Sequence, residues 1–213
     1  MSKLHPAHFV GASNNERPLG DLYETPAGAT LALLKALSAA GRWDWLKTRE
    51  VWEPACGRGA IATVLLYAGL HVLPTDIYDH GYADNISAGP ADFFSDNVDK
   101  YANKCNMIIT NPPYQVRQNG RRILTQHWIE RAFEFSTIED VFFLLKTTNL
   151  AGQERAALME RHLFHVYQFR GRVAMLRNGE PQQNMIDFAW MWFRRDCSIR
   201  SPTIGWIDVA EGE

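Results

Sequence analysis

The chain has no long uninterrupted apolar run. No stretch reaches the roughly 18 residues that a membrane-spanning helix needs, and the opening Met1-Ser2-Lys3-Leu4-His5-Pro6 has no apolar core of a signal peptide. Both absences point to a cytoplasmic protein without a membrane partner. Cysteine is scarce. Cys56, Cys105 and Cys197 are an odd number at no metal-like spacing, which excludes a disulfide framework and reads as three free thiols in a reducing compartment. Excess positive charge is missing too: a formal net charge of −2 gives no global attraction to a polyanion, so any contact with nucleic acid must be local. Clustered metal ligands are also lacking, since Asp79 and His80 read as a solvated turn and His162 and His165 as a helix end. No metal is expected. Internal repeats and low-complexity tracts do not occur.

What is present is ordinary for a globular protein. The 213 residues, 46% hydrophobic and 22% charged, suit one domain with a full core. The polar, turn-forming Ser13 to Gly20 marks residues 1–22 as a flexible arm, and residues 23–213 as the domain. Tyr23-Glu24-Thr25-Pro26 precedes Leu31, Leu34 and Leu37 at helical spacing, with Thr25 as N-cap and Pro26 at the first helical position. That helix start and the Thr25 hydroxyl can hold a carboxylate, although a capped helix with no ligand is equally consistent.

Glu50 to Ala60 reads as strand, glycine turn and helix start, with Glu53 at the strand end and Gly57 and Gly59 in the turn. Ala62 stands where a dinucleotide-binding turn would have its third glycine, which disfavours a dinucleotide cofactor. His71 to Ile77 reads as a second strand ending in Asp76, whose carboxylate suits paired ribose hydroxyls or, more plainly, a turn cap. A further strand is expected at Ala91 to Phe94, so that four strands precede position 111. Later come a helix at Ile123 to Phe135, a strand buried on both faces at Glu139 to Lys146, and a helix at Gln153 to His162. The last two strands are read at Phe164 to Phe169 and Met185 to Phe193, with a surface excursion between them and an apolar cluster at Ile204 to Val209.

The organising stretch is Asn111-Pro112-Pro113-Tyr114, which stops the β-forming run Met107-Ile108-Ile109-Thr110. Two prolines end a strand because neither can donate to a ladder. In an open parallel sheet, ligands bind at such strand ends. The amide oxygen of Asn111 and the main-chain carbonyl of Pro112 can accept both hydrogens of one amino group, and Tyr114 offers a flat ring for a planar substrate. Arg117, Arg121 and Arg122 follow this loop, and Arg170, Arg172 and Arg177 lie in the later excursion, as local positive charge for phosphates.

Asn111 to Tyr114 resembles the catalytic motif of the S-adenosylmethionine-dependent amino-methyltransferases. Glu53-Pro54-Ala55-Cys56-Gly57-Arg58-Gly59 is similar to their cofactor turn, and Ala91-Asp92-Phe93-Phe94 to their acid-aromatic motif. The pieces stand in the order of the nitrogen methyltransferases over residues 23–193. The resemblance implies an α/β, Rossmann-like domain, a seven-stranded mostly parallel sheet with helices on both faces. It implies S-adenosyl-L-methionine held by Tyr23, Thr25, Pro26, Glu53 to Gly57, Gly59, Asp76, Ile77, Asp92, Phe93 and Asn111. In it Asp92 accepts the adenine amino group of the cofactor and Phe93, or Phe94 in the other register, packs on that ring. Asn111, Pro112, Pro113 and Tyr114 are then catalytic, and Tyr114 with Arg117, Arg121, Arg122, Arg170 and Arg172 contacts substrate.

Asn at the first motif position fits N6 of adenine in DNA best, with adenine in RNA or a glutamine side-chain amide in protein as alternatives, and a non-catalytic cofactor-binding module as a third. Cytosine C5 chemistry is disfavoured, because it needs a thiolate after a proline and no Pro-Cys pair occurs.

Overall fold

A computed structural model describes residues 22–82, 91–118, 121–177, 179–182, 186–197 and 201–210. The expected arm, apart from Leu22, lies outside the described residues. In chain order the elements are α1 (Ala27–Ala39), α2 (Trp43–Lys47), β1 (Glu50–Glu53), α3 (Ala60–Tyr67), β2 (His71–Pro74), α4 (Asp99–Ala102) and β3 (Met107–Thr110). There follow β4 (Gln115–Gln118), β5 (Arg121–Leu124), α5 (Thr125–Glu134), β6 (Asp140–Lys146), α6 (Gln153–His162) and β7 (Leu163–Phe169). The chain finishes with β8 (Leu176–Arg177), β9 (Glu180–Pro181), β10 (Phe188–Arg194) and β11 (Thr203–Ile207). Seven strands form one sheet in the order β11-β7-β10-β6-β3-β1-β2. Strand β10 runs antiparallel to β6 and β7, and every other pairing is parallel.

Alternation along the strands divides the core into two layers. Val51, Met107, Ile109, Phe142 and Leu144 face one way and pack with Leu33, Leu37, Ile61 and Leu65 of α1 and α3. Trp52, Ile108, Val141, Phe143 and Leu145 face the other way and pack with Trp128, Ile129 and Ala132 of α5. This is the period-two pattern of a sheet covered on both faces, and it explains why Val141 to Leu145 are all fully buried. Three fully buried indoles are satisfied: Trp52 Nε1 donates to Thr75 Oγ1 at 2.9 Å, Trp190 Nε1 to the Ala29 carbonyl at 2.9 Å, and Trp192 Nε1 to Asp140 Oδ1 at 2.7 Å, whereas the buried Trp128 Nε1 has no partner among the described residues.

Several expectations are corrected. Ala91 to Phe94 is no strand. Asp92 Oδ1 accepts from the Phe94 N–H at 2.9 Å and the Asp92 carbonyl from the Ser95 N–H at 2.9 Å, so the acid winds the chain into a turn. Three strands, β1 to β3, therefore precede position 111 among the described residues, and β11 completes the seven from the far edge. Ile123 and Leu124 belong to the β4–β5 ribbon rather than to the following helix. Helix α1 has Pro26 at its N-cap with no side-chain cap, so Thr25 lies one residue outside the position expected of it.

Fully buried Phe142 sits at the centre of one core layer, stacked on Trp192 at 4.9 Å. Phe142→Ala is expected to destabilise the domain by about 3–5 kcal/mol, read by urea unfolding with circular dichroism. A loss below about 1 kcal/mol would contradict this packing.

Candidate active site

Parallel strands β1 and β3 are neighbours, with Val51 opposite Met107 and Trp52 opposite Ile108. Strand β2 pairs on the other side of β1, so the strand order turns outward in both directions from this pair. The segments leaving β1 and β3 emerge side by side at their carboxyl ends, where a crevice forms in such sheets. One segment is the Glu53–Gly59 turn and the other is the Asn111–Tyr114 loop.

The glycine turn needs its glycines. Gly57 has φ 53° and Gly59 φ 80°, in the left-handed region. A Cβ on Gly57 would lie 2.7 Å from Leu22 Cδ1, and one on Gly59 would run into the Tyr82 ring. The turn is tied to β2: the Thr75 N–H donates to the Glu53 carbonyl at 2.9 Å, the Cys56 N–H to the Thr75 carbonyl at 3.0 Å, and the Gly57 N–H to Asp76 Oδ2 at 2.8 Å. Asp76 Oδ1 accepts from the Tyr78 N–H at 2.9 Å, with His80 Nε2 at 3.7 Å. Burial raises the Asp76 carboxyl above the usual range, opposed by these N–H groups and by His80.

Glu53 is 1% exposed. The Ala62 N–H in the first turn of α3 favours the ionised form of its carboxyl, while Oε2 has no hydrogen-bond partner among the described residues. Burial pushes the Glu53 carboxyl well above the ordinary range, and the charge of Asp76 adds to the shift. Cys56 beside them stays a thiol, because burial and both carboxylates raise its pKa. Pro54 is buried, and Ala55 and Ile77 are half-buried.

In the second loop every polar group of the Asn111 side chain is engaged. Nδ2 donates to Thr25 Oγ1 at 3.0 Å and to Met175 Sδ at 3.9 Å, and Oδ1 accepts from the Tyr114 hydroxyl at 2.5 Å. Pro112 is buried and Pro113 exposed. The half-buried Tyr114 ring lies 5.8 Å from Phe188, and the Lys146 ammonium stands 5.2 Å from its centroid. Residues 23–26 join the two loops. Glu24 exchanges 2.9 Å hydrogen bonds with Leu176, its carboxylate is 3.9 Å from Arg58 of the glycine turn, and Thr25 meets Asn111. Tyr23 packs on the core, with the Arg177 guanidinium 5.9 Å from its ring.

The segment holding Asp92 and Phe93 is tied to β2 through the Ala91 N–H, which donates to the Asp76 carbonyl at 3.0 Å. Phe93 is 2% exposed and stacked on Trp128 at 4.5 Å, so its ring belongs to the core, whereas Phe94 is half-buried. Asp92 is half-buried in its turn. Arg170 is paired with Asp208 at 2.7 Å, which leaves less of its charge for a ligand, and Arg172 is exposed. Arg117 and Arg122 stand opposite each other in the β4–β5 register, and Arg121 opposite Gln118. Lys146, Met175, Leu22 and Tyr82 were not anticipated. Only Lys146 carried a signal, being the last residue of a buried parallel strand.

No family profile matches the sequence, and no curated protein sequence matches it. Solved structures match in fold. A candidate RNA methyltransferase from Pyrococcus horikoshii is similar at 15% identity with a TM-score of 0.56, over 89% of this chain and 94% of that one. The DrdV–DNA complex is similar at 14% identity and a TM-score of 0.57, over 89% of this chain and 28% of that one. A nuclease-deletion mutant of the type ISP restriction-modification enzyme LlaGI, in complex with a DNA substrate mimic, gives 11% and 0.53, over 89% of this chain and 24% of that one. The chain shares their α/β fold, and corresponds in length to about a quarter of the two DNA-bound chains.

Because the Glu53 pKa is raised in the folded state, its contribution to stability is full below the unfolded value near 4.5 and is lost as pH rises through the folded value. Glu53→Gln is expected to flatten the fall in melting temperature above pH 4.5 relative to the parent protein. Parallel pH profiles for the two proteins would contradict the burial of this carboxyl.

Proposed function

We propose that the chain is one methyltransferase domain over residues 23–213, which transfers a methyl group from S-adenosyl-L-methionine to an exocyclic amino nitrogen, N6 of adenine in DNA. The observation carrying this reading is the placement of the Glu53–Gly59 turn and the Asn111–Tyr114 loop at the carboxyl ends of adjacent parallel strands.

The residues fit the cofactor. Glu53 Oε2, without a partner among the described residues, is a buried acceptor suited to a cationic amino group, and the left-handed glycines allow a close backbone approach. Each Asp76 oxygen accepts one backbone N–H and keeps a lone pair for a ribose hydroxyl. When bound, the cofactor supplies an electrophilic methyl sulfonium, so the protein's task is chiefly alignment. The lone pair of an aryl amino nitrogen is delocalised into the ring. Asn111 Oδ1 and the Pro112 carbonyl, accepting its hydrogens, favour a pyramidal nitrogen and offset the positive charge developing there. Oδ1 can do so while accepting from Tyr114, since a carbonyl oxygen has two lone pairs. The Tyr114 ring holds the acceptor plane, and a base in duplex DNA must first leave the stack.

Nucleic acid as partner is supported by the β4–β5 ribbon directly after the catalytic loop. The register of that ribbon sets Arg117 opposite Arg122 and Arg121 opposite Gln118, which gathers three arginines in one short hairpin. The DNA-bound fold relatives agree with this partner. The likeness to a candidate RNA methyltransferase over 94% of its length favours adenine in RNA as a second reading.

Incubation with labelled cofactor and, separately, genomic DNA, total RNA and cell protein, followed by mass spectrometry of the modified atom, distinguishes these acceptors. N6-methyladenine in DNA is expected. Label confined to RNA or protein would overturn the DNA assignment, and no transfer to any of them would overturn the enzyme. Asn111→Ala should abolish transfer while cofactor binding persists, and Asp76→Ala should weaken cofactor affinity. Normal turnover by the first variant, or an unchanged cofactor titration by the second, would contradict those roles.

A further inference from the structure

We infer that Thr25 is a positioning residue for Asn111, with Met175 as its second support, rather than a ligand of the cofactor carboxylate. The inference rests on the proposed chemistry at Asn111 and adds what makes that side chain competent.

A carboxamide presents opposite faces to its surroundings. If Asn111 turned its Nδ2 toward an acceptor amino group, donor would meet donor and the interaction would be repulsive. Its oxygen must face the acceptor, so something must hold the flip. Both hydrogens of Nδ2 have takers on one side, Thr25 Oγ1 at 3.0 Å and Met175 Sδ at 3.9 Å. Oδ1 is thereby directed to the side of Tyr114, whose hydroxyl reaches it at 2.5 Å.

Burial supports the same assignment. Thr25 is 4% exposed and Met175 is 3% exposed, so both are groups packed behind the loop and not surfaces open to a ligand. Neither is a local contact. Thr25 precedes α1 and Met175 precedes β8, and the paired hydrogen bonds between Glu24 and Leu176 fasten these two segments to each other one residue away. The orientation of the amide is therefore set by a clamp of two remote segments. The Met175 sulfur can only accept and so selects which end of the amide faces it, while the shorter bond to the Thr25 hydroxyl holds the amide in place.

The test uses the full chain with Thr25→Val, which keeps shape and removes the hydroxyl, and Thr25→Ser, which keeps it. In methyl transfer to unmethylated genomic DNA, Thr25→Val is expected to lower kcat by about 10²-fold, the scale for a slight misplacement of an aligning group. Cofactor affinity by calorimetry should stay within about twofold, and Thr25→Ser should restore most of kcat. Loss of cofactor affinity at unchanged kcat would overturn the inference in favour of the carboxylate role.

A second readout does not depend on activity. In protein labelled with 15N-asparagine, the Asn111 side-chain amide is identified as the NH2 pair missing from Asn111→Asp. Thr25→Val should shift that pair and Thr25→Ser should leave it nearly in place. An unmoved pair in Thr25→Val would overturn the inference even if the parent protein proved inactive. A parent that transfers no methyl group but shows the shift would overturn the proposed reaction and leave the clamp standing.

Discussion

The parallel pairing of β1 with β3 is the constraint on which the rest of the structure depends. Two parallel strands side by side must both end at the same edge of the sheet. Here both strands lie inside the sheet and are buried on both faces, with Val51, Met107 and Ile109 in one core layer and Trp52 and Ile108 in the other. A slip of one residue would exchange those layers, and the apolar side chains make it costly. The position of the Asn111 loop relative to the glycine turn is thus fixed by the core.

Around this pair the molecule concentrates polar groups that are expensive to bury. Glu53 and Asp76 are 1% and 7% exposed, and burial raises both carboxyls. Backbone N–H groups of the turn, of α3 and of Tyr78 offset part of that cost, so the carboxylates stabilise the turn that they also burden. Residues 23–26 complete the arrangement. Their contacts run to Arg58, to Leu176 and to Asn111, joining the glycine turn, the late excursion and the second loop through four consecutive positions.

Features governed by local pattern were legible in the sequence. The apolar run at β6, the helix α6 and the arrest of β3 at two prolines follow from burial, periodicity and the missing proline donor, and the structure has them where expected. Features decided by tertiary partners were not. Asp92 and Phe93 looked like strand residues, but the Asp92 side chain makes a turn and Phe93 is drawn onto Trp128 from α5. Thr25 had the composition of a helix cap, yet its hydroxyl serves Asn111, remote in sequence. The partnership of Met175 with Asn111 depends on how the excursion folds back, which no spacing rule encodes.

A crystal structure with S-adenosylhomocysteine would test the central claim most directly. The ligand is expected across the carboxyl ends of β1 and β3, its amino group at Glu53, its ribose at Asp76 and its sulfur facing Asn111. Density at any other edge of the sheet, or at the glycine turn with the sulfur directed away from Asn111, would contradict the account.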